Sequence, residues 1–178
     1  LTSELMPLLL RSDHALVVNV ASIAMGRPHL TFNQFDGHDY RPWTIYTTTK
    51  LAQAMMVVKL NQLLTEAGQS VTVTGSSPGL AATSLKTISS RKTAWLMRMG
   101  ALSFRLLPFL RQSPDQVALP ALYAATDPNA QGGVIYAPHA WRGLRGYPAL
   151  WAWNQRPELH DQKLLDRLYR ASRNVTGV

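Results

Sequence analysis

The segment from Tyr46 to Lys50 holds a phenol and an ammonium at a spacing that suits proton transfer. Residues four apart lie about one turn apart on the same face of a helix, so their side chains can meet. A nearby ammonium favours phenolate and so lowers the pKa of a tyrosine from about 10 toward the working pH of an acid or base. The same spacing also occurs where both groups are solvated surface side chains. The interpretation therefore depends on the elements that position the pair.

A buried strand is predicted before this pair, and it ends close to a serine. The run from Ala15 to Val20 is apolar and rich in valine, which is typical of a strand covered on both faces of a parallel sheet. Ser22 follows its carboxyl end, the edge at which ligands bind in open α/β sheets. We therefore expect the Ser22 hydroxyl at the ligand edge. Residues 27–43, rich in aromatic residues and proline, are predicted to form a long loop.

A long helix and a second strand are predicted after the loop. Apolar residues repeat at helical spacing over residues 44–66, and Gly68 is placed to end the helix. Residues 71–74 then have the pattern of a strand, so the order predicts a parallel βαβ unit. Such a unit brings Ser22, the first turn of the helix and the segment after Thr74 to one edge of the sheet. The broad apolar surface of the 44–66 helix also makes it the candidate interface of a homo-oligomer.

The rest of the chain predicts further α/β structure. The predicted elements are a lid-like helical insertion over 87–111, a helix over 113–126, a third strand over 131–136 and a final helix over 162–172. The helix over 113–126 begins with Ser-Pro-Asp-Gln, which predicts a capping box with proline in the first turn. We therefore predict the α/β fold class, with a Rossmann-like doubly wound parallel sheet of three strands in a single domain over residues 1–178.

One motif is typical of a different enzyme class. Residues 75–79 match G-x-S-x-G after a strand, the nucleophile elbow of α/β-hydrolases, and Asp127 and His139 follow in the expected order. The residue after the candidate nucleophile Ser77 is Pro78, which has no backbone N–H to offer an oxyanion hole. Proline and glycine also disfavour the helix that must follow such an elbow. The hydrolase is therefore the weaker interpretation.

Three short motifs, in their order, closely resemble the short-chain dehydrogenase/reductase family. Residues 19–22 (N-V-A-S) are similar to the family's N-V-S-S, and Tyr46 to Lys50 match its Y-x-x-x-K. Pro78 and Gly79 with Thr83 match its P-G-x-x-x-T. Each motif is weak alone, but their order and their placement on strand, helix and loop make the set strong, and the resemblance covers nearly the whole chain. The gap of 24 residues between the serine and the tyrosine resembles the retinol-dehydrogenase-like members, which carry a long insertion there.

The resemblance implies a catalytic role for three residues. Tyr46 would be the general acid/base, Ser22 would hold and polarise the reacting oxygen, and Lys50 would bind the nicotinamide ribose. The residues implied for binding NAD or NADP are Tyr46, Lys50, Pro78, Gly79 and Thr83. The implied substrate is a small-molecule alcohol or carbonyl, and the apolar stretch over 95–110 suggests that it is hydrophobic.

The family's glycine-rich turn, T-G-x-x-x-G-x-G, which cradles the cofactor pyrophosphate, has no counterpart in the sequence. The chain therefore looks like the C-terminal portion of such an enzyme, lacking the N-terminal βαβ units. We expect the isolated chain to turn over poorly or not at all. The alternative is a non-catalytic binding or dimerisation module derived from the same fold, and affinity for the cofactor distinguishes the two.

Composition limits the other classes of function. The chain has 18 lysine and arginine residues against 10 acidic ones, but they are dispersed and no recognition motif accompanies them, so we predict no nucleic-acid binding. There is no cysteine and the five histidines show no ligand-like spacing, so no metal site is expected. No long apolar run or secretory signal is present, which predicts a cytoplasmic protein without stable membrane insertion.

Overall fold

A four-stranded sheet forms the centre of the structure, a computed structural model that describes residues 1–26, 41–80 and 112–177. The strands are β1 (Leu16–Val20), β2 (Thr72–Ser76), β3 (Ile135–Ala140) and β4 (Arg145–Leu150). The described helices are α1 (Thr2–Leu9), α2 (Pro42–Glu66), α3 (Pro114–Thr126) and α4 (Gln162–Thr176). The strands lie in the order β1-β2-β3-β4 across the sheet, and short 3₁₀ turns span Ile23–Gly26, Ala152–Gln155 and Pro157–Leu159.

The first two strands and the helix between them form the predicted βαβ unit. β1 and β2 are parallel, and Val20 at the end of β1 pairs with Ser76 at the end of β2. α2 begins at Pro42, two residues before its predicted start, because proline suits the first position of a helix. It ends at Ala67 and Gly68, where Gly68 adopts a φ of 65°. The unit brings the exits of both strands to one edge of the sheet.

The predicted third strand was placed wrongly. Residues 131–134 form a turn, and β3 begins only at Ile135. The physical reason is a close approach to α2, because Gly133 has a φ of 74° and a β-carbon there would lie 3.3 Å from the side chain of Asn61. The chain therefore turns where it packs against Asn61 of α2, and it enters the sheet only after this turn.

The predicted number of strands was also wrong, because β4 pairs with β3 in the antiparallel direction. Its sequence contains Gly146 and Pro148, which obscure the pattern of a strand. Proline is tolerated here because β4 forms one edge of the described sheet and needs no further ladder partner. The sheet is thus mostly parallel, with one antiparallel strand at its edge.

Helices cover both faces of the sheet, as a doubly wound fold requires. Ile135 and Tyr136 are neighbours on β3, so their side chains point to opposite faces. Ile135 lies in a buried core with Leu51 of α2 and Leu165 of α4. The ring of Tyr136 lies 4.9 Å from that of Tyr123 on α3. The predicted α/β, Rossmann-like fold class is confirmed.

Local signals for the two C-terminal helices are also confirmed. Ser113 and Gln116 form the predicted capping box at the start of α3, with each side chain bonded to the backbone of the other at 3.3 Å. α4 continues to Thr176, beyond its predicted end. An ion pair of 2.6 Å between Lys59 and Asp166 joins α2 to α4.

The predicted lid over residues 87–111 lies outside the described residues, and the prediction of a single domain over 1–178 stays a prediction. Across the described ranges, no helix combines the length and the apolar character needed to cross a membrane.

Candidate active site

Ser22 lies just beyond the end of β1, where the backbone leaves the sheet. The N–H of Ala21 donates to the carbonyl of Ser76 at 2.7 Å, which ties this exit to the end of β2. The chain then enters the 3₁₀ turn Ile23–Gly26, and the N–H of Ala24 donates to Oγ of Ser22 at 3.2 Å. The serine hydroxyl is therefore fixed by its own turn at the carboxyl edge of the sheet.

Tyr46 lies near the start of α2 and reaches back to this serine. Its phenol donates a hydrogen bond of 3.2 Å to Oγ of Ser22, across 24 residues of sequence. The ring of Trp43 lies 5.7 Å from the ring of Tyr46, and Trp43 is 43% exposed. The phenol thus has a hydroxyl partner on one side and an accessible apolar ring beside it.

Lys50 lies one turn further along α2. Its ammonium donates to the carbonyl of Val20, the last residue of β1, at 2.8 Å, and to Oε1 of Gln53 at 2.9 Å. An ammonium has three N–H donors, and the third has no partner among the described residues. Partial burial lowers the pKa of Lys50, because desolvation disfavours its charged form. The cation is therefore anchored to β1 and keeps one donor for a ligand.

The turn after β2 holds Pro78 and Gly79 against the hairpin of β3 and β4. The N–H of Leu80 donates to the carbonyl of Leu144 at 3.1 Å. Gly79 has a φ of 74°, and a β-carbon there would lie 2.6 Å from the carbonyl oxygen of Leu144. Glycine is required by both the conformation and the close approach.

Three hydroxyls near the end of β2 are buried without a hydrogen-bond partner in the described part of the chain. They belong to Thr74, Ser76 and Ser77. Each is at most 1% exposed, and buried polar groups normally have a partner. Ser77 directly precedes Pro78, in the turn that is predicted to line a nicotinamide. The remaining donor of Lys50 and the close-packed turn at Gly79 suit a polar ligand that carries hydroxyl groups, as a nicotinamide ribose does.

The hydrolase interpretation gains no support from the geometry. Ser77 is fully buried, whereas His139 is exposed and accepts the N–H of Tyr147 at Nδ1 over 3.1 Å. The carboxylate of Asp127 accepts the N–H of Asn129 at 2.8 Å, at the end of α3. No hydrogen bond joins the serine, the histidine and the aspartate, all of which lie in described ranges.

A groove of about 410 Å³ lies between α1, α2 and α4. Its walls include Asn19 and Gln53 but none of Ser22, Tyr46 and Lys50. It therefore adjoins the ammonium of Lys50 through Gln53, which accepts a hydrogen bond from it, and does not reach the hydroxyls of Ser22 and Tyr46. Within residues 1–26, 41–80 and 112–177, no group of three or more histidine or acidic residues is placed to hold a metal ion.

The structure brings the predicted catalytic residues Ser22, Tyr46 and Lys50 together at the carboxyl end of β1. The predicted turn 78–79 follows the neighbouring strand β2, at the same edge of the sheet. Thr83, predicted to bind the cofactor, lies outside the described residues. The roles of these residues stay predictions.

Two contacts at the site were not predicted. Gln53 binds Lys50, and their spacing of three residues on a helix could have indicated the pair. Arg156 donates to the carbonyl of Met25 at 2.5 Å, and so holds the turn after Ser22 from 131 residues further along. No local pattern in a sequence indicates a contact over that distance.

Comparison with known proteins finds a distant sequence relative. Residues of this chain are 32% identical over 95 residues to the protein named polyprenol dehydrogenase from Mus musculus. The match covers 53% of this chain and 27% of that protein. No protein-family model matches the chain. The sequence similarity is therefore to a dehydrogenase, over a limited part of its length.

A solved structure supports the fold. The crystal structure of an uncharacterized protein from Mycobacterium paratuberculosis aligns with a TM-score of 0.64 at 23% identity. The alignment covers 93% of this chain and 51% of that protein, so the chain spans about half the length of its structural relative. At this identity the likeness concerns the fold alone.

Proposed function

We propose that this chain supplies the catalytic residues of an NAD(P)-dependent oxidoreductase of the short-chain dehydrogenase/reductase type, which interconverts an alcohol and a carbonyl. The observation that carries the proposal is the hydrogen bond from Tyr46 to Ser22, together with the ammonium of Lys50 anchored to the last residue of β1. The similarity to a protein named a dehydrogenase supports the reaction class. The Rossmann-like sheet supports a nucleotide cofactor at the edge where these residues lie.

Ser22 and Tyr46 would act on the reacting oxygen in two ways, Ser22 by hydrogen bonding and Tyr46 by proton transfer. Oγ of Ser22 accepts hydrogen bonds from Ala24 and Tyr46, so its own O–H remains to be donated to a substrate oxygen. Tyr46 gives its phenolic proton to that oxygen during reduction and takes it back during oxidation. Proton transfer of this kind contributes about 10²–10⁴-fold to a rate.

The residues that would hold the cofactor lie at the exits of β1 and β2. Lys50 offers its third N–H donor to a ribose hydroxyl, and the turn at Pro78 and Gly79 offers a closely packed wall to the nicotinamide. Thr83 is proposed to contact the carboxamide and the pyrophosphate. The cofactor, NAD or NADP, supplies the hydride when it is bound.

The proposed substrate is a hydrophobic alcohol or its carbonyl counterpart. Trp43 places a half-exposed apolar ring beside the phenol of Tyr46, where the chain of such a substrate can pack. The name of the mouse relative, polyprenol dehydrogenase, agrees with a long apolar alcohol. We therefore propose a prenol or another long-chain primary alcohol as the first compound to assay.

A binding titration tests the proposal. NADH and NADPH are titrated by calorimetry against the wild-type chain, Lys50→Ala and Lys163→Ala. Lys163 is exposed on α4, so its variant makes the same change of charge away from the site. We expect saturable binding that Lys50→Ala weakens at least about tenfold, the loss of one charge-assisted hydrogen bond, and that Lys163→Ala leaves unchanged.

Absence of binding to a folded wild-type chain, or equal affinity for wild type and Lys50→Ala, would refute this assignment. Where binding is found, reduction of a long-chain aldehyde is assayed with the chain and with any longer natural protein that contains it. The activity is expected to be lost in Tyr46→Phe, while affinity for the dinucleotide is retained.

A second candidate function, assembly with another copy of the chain, has its own structural support. α1 has no buried residue, and its Leu8 is 62% exposed. On α2, Met56 and Leu60 are partly exposed and line the open groove beside α1. Light scattering is expected to give a mass above the 19.8 kDa of one chain. Met56→Lys is expected to give the monomer, whereas Thr65→Lys, at the exposed end of α2, keeps the assembly.

A further inference from the structure

Gln112 is a buried side chain that joins separate segments of backbone, and it is only 1% exposed. Its Nε2 donates to the carbonyls of Pro78 at 3.3 Å and Leu144 at 3.1 Å. Its Oε1 accepts the N–H of Gly146 at 3.0 Å. Gln112 directly precedes Ser113, the N-cap of α3. One carboxamide therefore fixes the turn after β2, the hairpin of β3 and β4, and the start of α3 relative to one another.

The hairpin side of this contact is fixed to the hydrophobic core. Nε1 of Trp151 donates to the carbonyl of Arg142 in the hairpin turn at 3.3 Å. A β-carbon on Gly143 would lie 2.5 Å from the same nitrogen, so turn and indole are in close contact. Trp151 is buried in the main core cluster. The hairpin turn that leads to the carbonyl of Leu144, which Gln112 binds, is therefore fixed to the core through Trp151.

The other side of the contact is the turn at Pro78 and Gly79. Gln112 binds the carbonyl of Pro78, and a β-carbon on Gly79 would lie 3.0 Å from Nε2 of Gln112. The carbonyl of Leu144 also accepts the N–H of Leu80. The turn is thus braced on both sides of Gly79 by groups that Gln112 either supplies or holds.

We propose that Gln112 is a positioning residue for the dinucleotide site, because it holds the Pro78–Leu80 turn against the hairpin in the conformation that binds the nicotinamide. This inference rests on the proposed function. Gln112 acts through the turn, with its side chain buried behind it, and is not a catalytic residue. A glutamine that only stabilised the fold would contribute to the stability of the whole chain and leave the affinity for the dinucleotide unchanged.

The test compares Gln112→Leu with Asn61→Ala. Gln112→Leu keeps a side chain of similar size and removes all three hydrogen bonds. Asn61→Ala removes a side-chain hydrogen bond of 3.1 Å to the N–H of Val73, near the opposite end of β2. Affinity for NADH or NADPH is measured by calorimetry, and exchange of the Leu80 amide hydrogen by NMR. The unfolding transition of each variant in urea is recorded alongside.

We expect Gln112→Leu to weaken dinucleotide binding by about tenfold or more and to accelerate exchange at Leu80, because the turn loses its brace. Asn61→Ala is expected to lower the stability but to leave both readouts as in the wild type. Wild-type affinity for the dinucleotide in folded Gln112→Leu would overturn the inference, whatever the exchange rate at Leu80, and leave the proposed function standing. A folded wild-type chain that binds neither dinucleotide overturns both.

Gln112→Glu tests the positioning role of Gln112 if the leucine variant does not fold. The protonated carboxyl can still accept from Gly146 and donate to one carbonyl, whereas the ionised form repels the carbonyl oxygens of Pro78 and Leu144. Affinity for the dinucleotide is therefore expected to fall as pH rises through the titration of the introduced carboxyl, relative to the wild type at each pH. An affinity that follows the wild type at every pH overturns the inference.

Discussion

The phenol of Tyr46 and the hydroxyl of Ser22 form a hydrogen bond of 3.2 Å although 24 residues separate them in the chain. The contact exists because Ser22 leaves β1 at the same edge of the sheet at which α2 begins. The turn that follows Ser22 fixes its oxygen through the N–H of Ala24. The end of β1 and the start of α2 are therefore joined by a hydrogen bond between two side chains, each of which can form a hydrogen bond to a substrate oxygen.

The first prediction concerns the coupling between these two side chains. Ser22→Ala and Tyr46→Phe each remove one half of a partly buried hydrogen bond. In a double-mutant cycle on the free energy of unfolding in urea, we expect a coupling of about 0.5–1.5 kcal/mol. Tyr147→Phe serves as the control because Tyr147 is 75% exposed on β4. The effects of Tyr147→Phe and Ser22→Ala on the free energy of unfolding are expected to add without coupling. If the effects of Tyr46→Phe and Ser22→Ala also added fully, the hydrogen bond between the two side chains would be contradicted.

The second prediction is a pH dependence that comes from Lys50. Burial lowers the pKa of this ammonium in the folded chain below its ordinary value of 10.5. Below the folded-state pKa the group is protonated in both states, so folding carries the full desolvation cost. Between the folded-state pKa and 10.5 the unfolded chain binds more protons, so stability rises with pH in that window.

Lys50→Met removes this titration. We expect the free energy of unfolding of the wild type, relative to that of Lys50→Met, to increase from pH 7 toward pH 10, by less than about 1 kcal/mol because the side chain is partly solvated. Taking the difference between the two proteins cancels the titration of groups distant from Lys50. Unfolding in urea at several pH values measures this difference in stability. A difference that decreased as pH rose would show that the pKa of Lys50 is raised on folding.

The elements that carry the candidate site could be predicted from the sequence because their signals are local. The valine-rich run of β1, the apolar periodicity of α2 and the capping box at Ser113 each depend on residues within one element. Parallel pairing of β1 and β2 then follows from the length of the connection between them. With that pairing, the meeting of Ser22, Tyr46 and Lys50 is a consequence of topology.

The features that sequence could not indicate depend on contacts between distant segments. β3 starts late because Gly133 lies against Asn61, which is far away in the chain. β4 contains Gly146 at a φ of 113°, packed against the ring of His139, and neither fact is visible in a local pattern. Gln112 makes its bonds to residues 32 to 34 positions away. The bracing of the turn at Pro78 and Gly79 by Gln112 is therefore a property of the tertiary structure alone.

The third prediction compares two glycines that both have positive φ. Gly79 and Gly68 adopt φ of 74° and 65°, so alanine is strained at either position. Only at Gly79 would the added carbon also approach another segment, at 2.6 Å from the carbonyl oxygen of Leu144. At Gly68 nothing lies within 4 Å.

We expect Gly68→Ala to lower the free energy of unfolding by about 1–2 kcal/mol through backbone strain alone. Gly79→Ala is expected to cost about 1–3 kcal/mol more, because the turn must also move away from the hairpin. Urea unfolding measures both, and affinity for the dinucleotide should fall only in Gly79→Ala. Equal losses of stability in the two variants would mean that the turn moves away from the hairpin at no cost.

The last prediction concerns Trp43, whose ring lies 5.7 Å from that of Tyr46 and is 43% exposed. An apolar ring beside the proton-transferring phenol can cover the first carbons of a hydrophobic alcohol. Each methylene group that is buried contributes about 0.8 kcal/mol, so affinity for primary alcohols should rise with chain length until the ring is covered. Trp43→Ala is expected to flatten this dependence, while affinity for NADH or NADPH is unchanged because the ring is not among the proposed cofactor contacts.

The measurement is a series of dissociation constants for primary alcohols of increasing length, in the presence of the oxidised dinucleotide. Trp43→Phe should retain most of the slope, since it keeps an aromatic face. Tyr147→Ala removes a more exposed aromatic ring from β4, and it is expected to leave the slope at the wild-type value. If affinity rose equally with chain length in the wild type and in Trp43→Ala, the apolar part of the substrate would lie away from Trp43. If Trp43→Ala and Tyr147→Ala both lost the same part of this dependence, the effect would be a general one of surface aromatic residues.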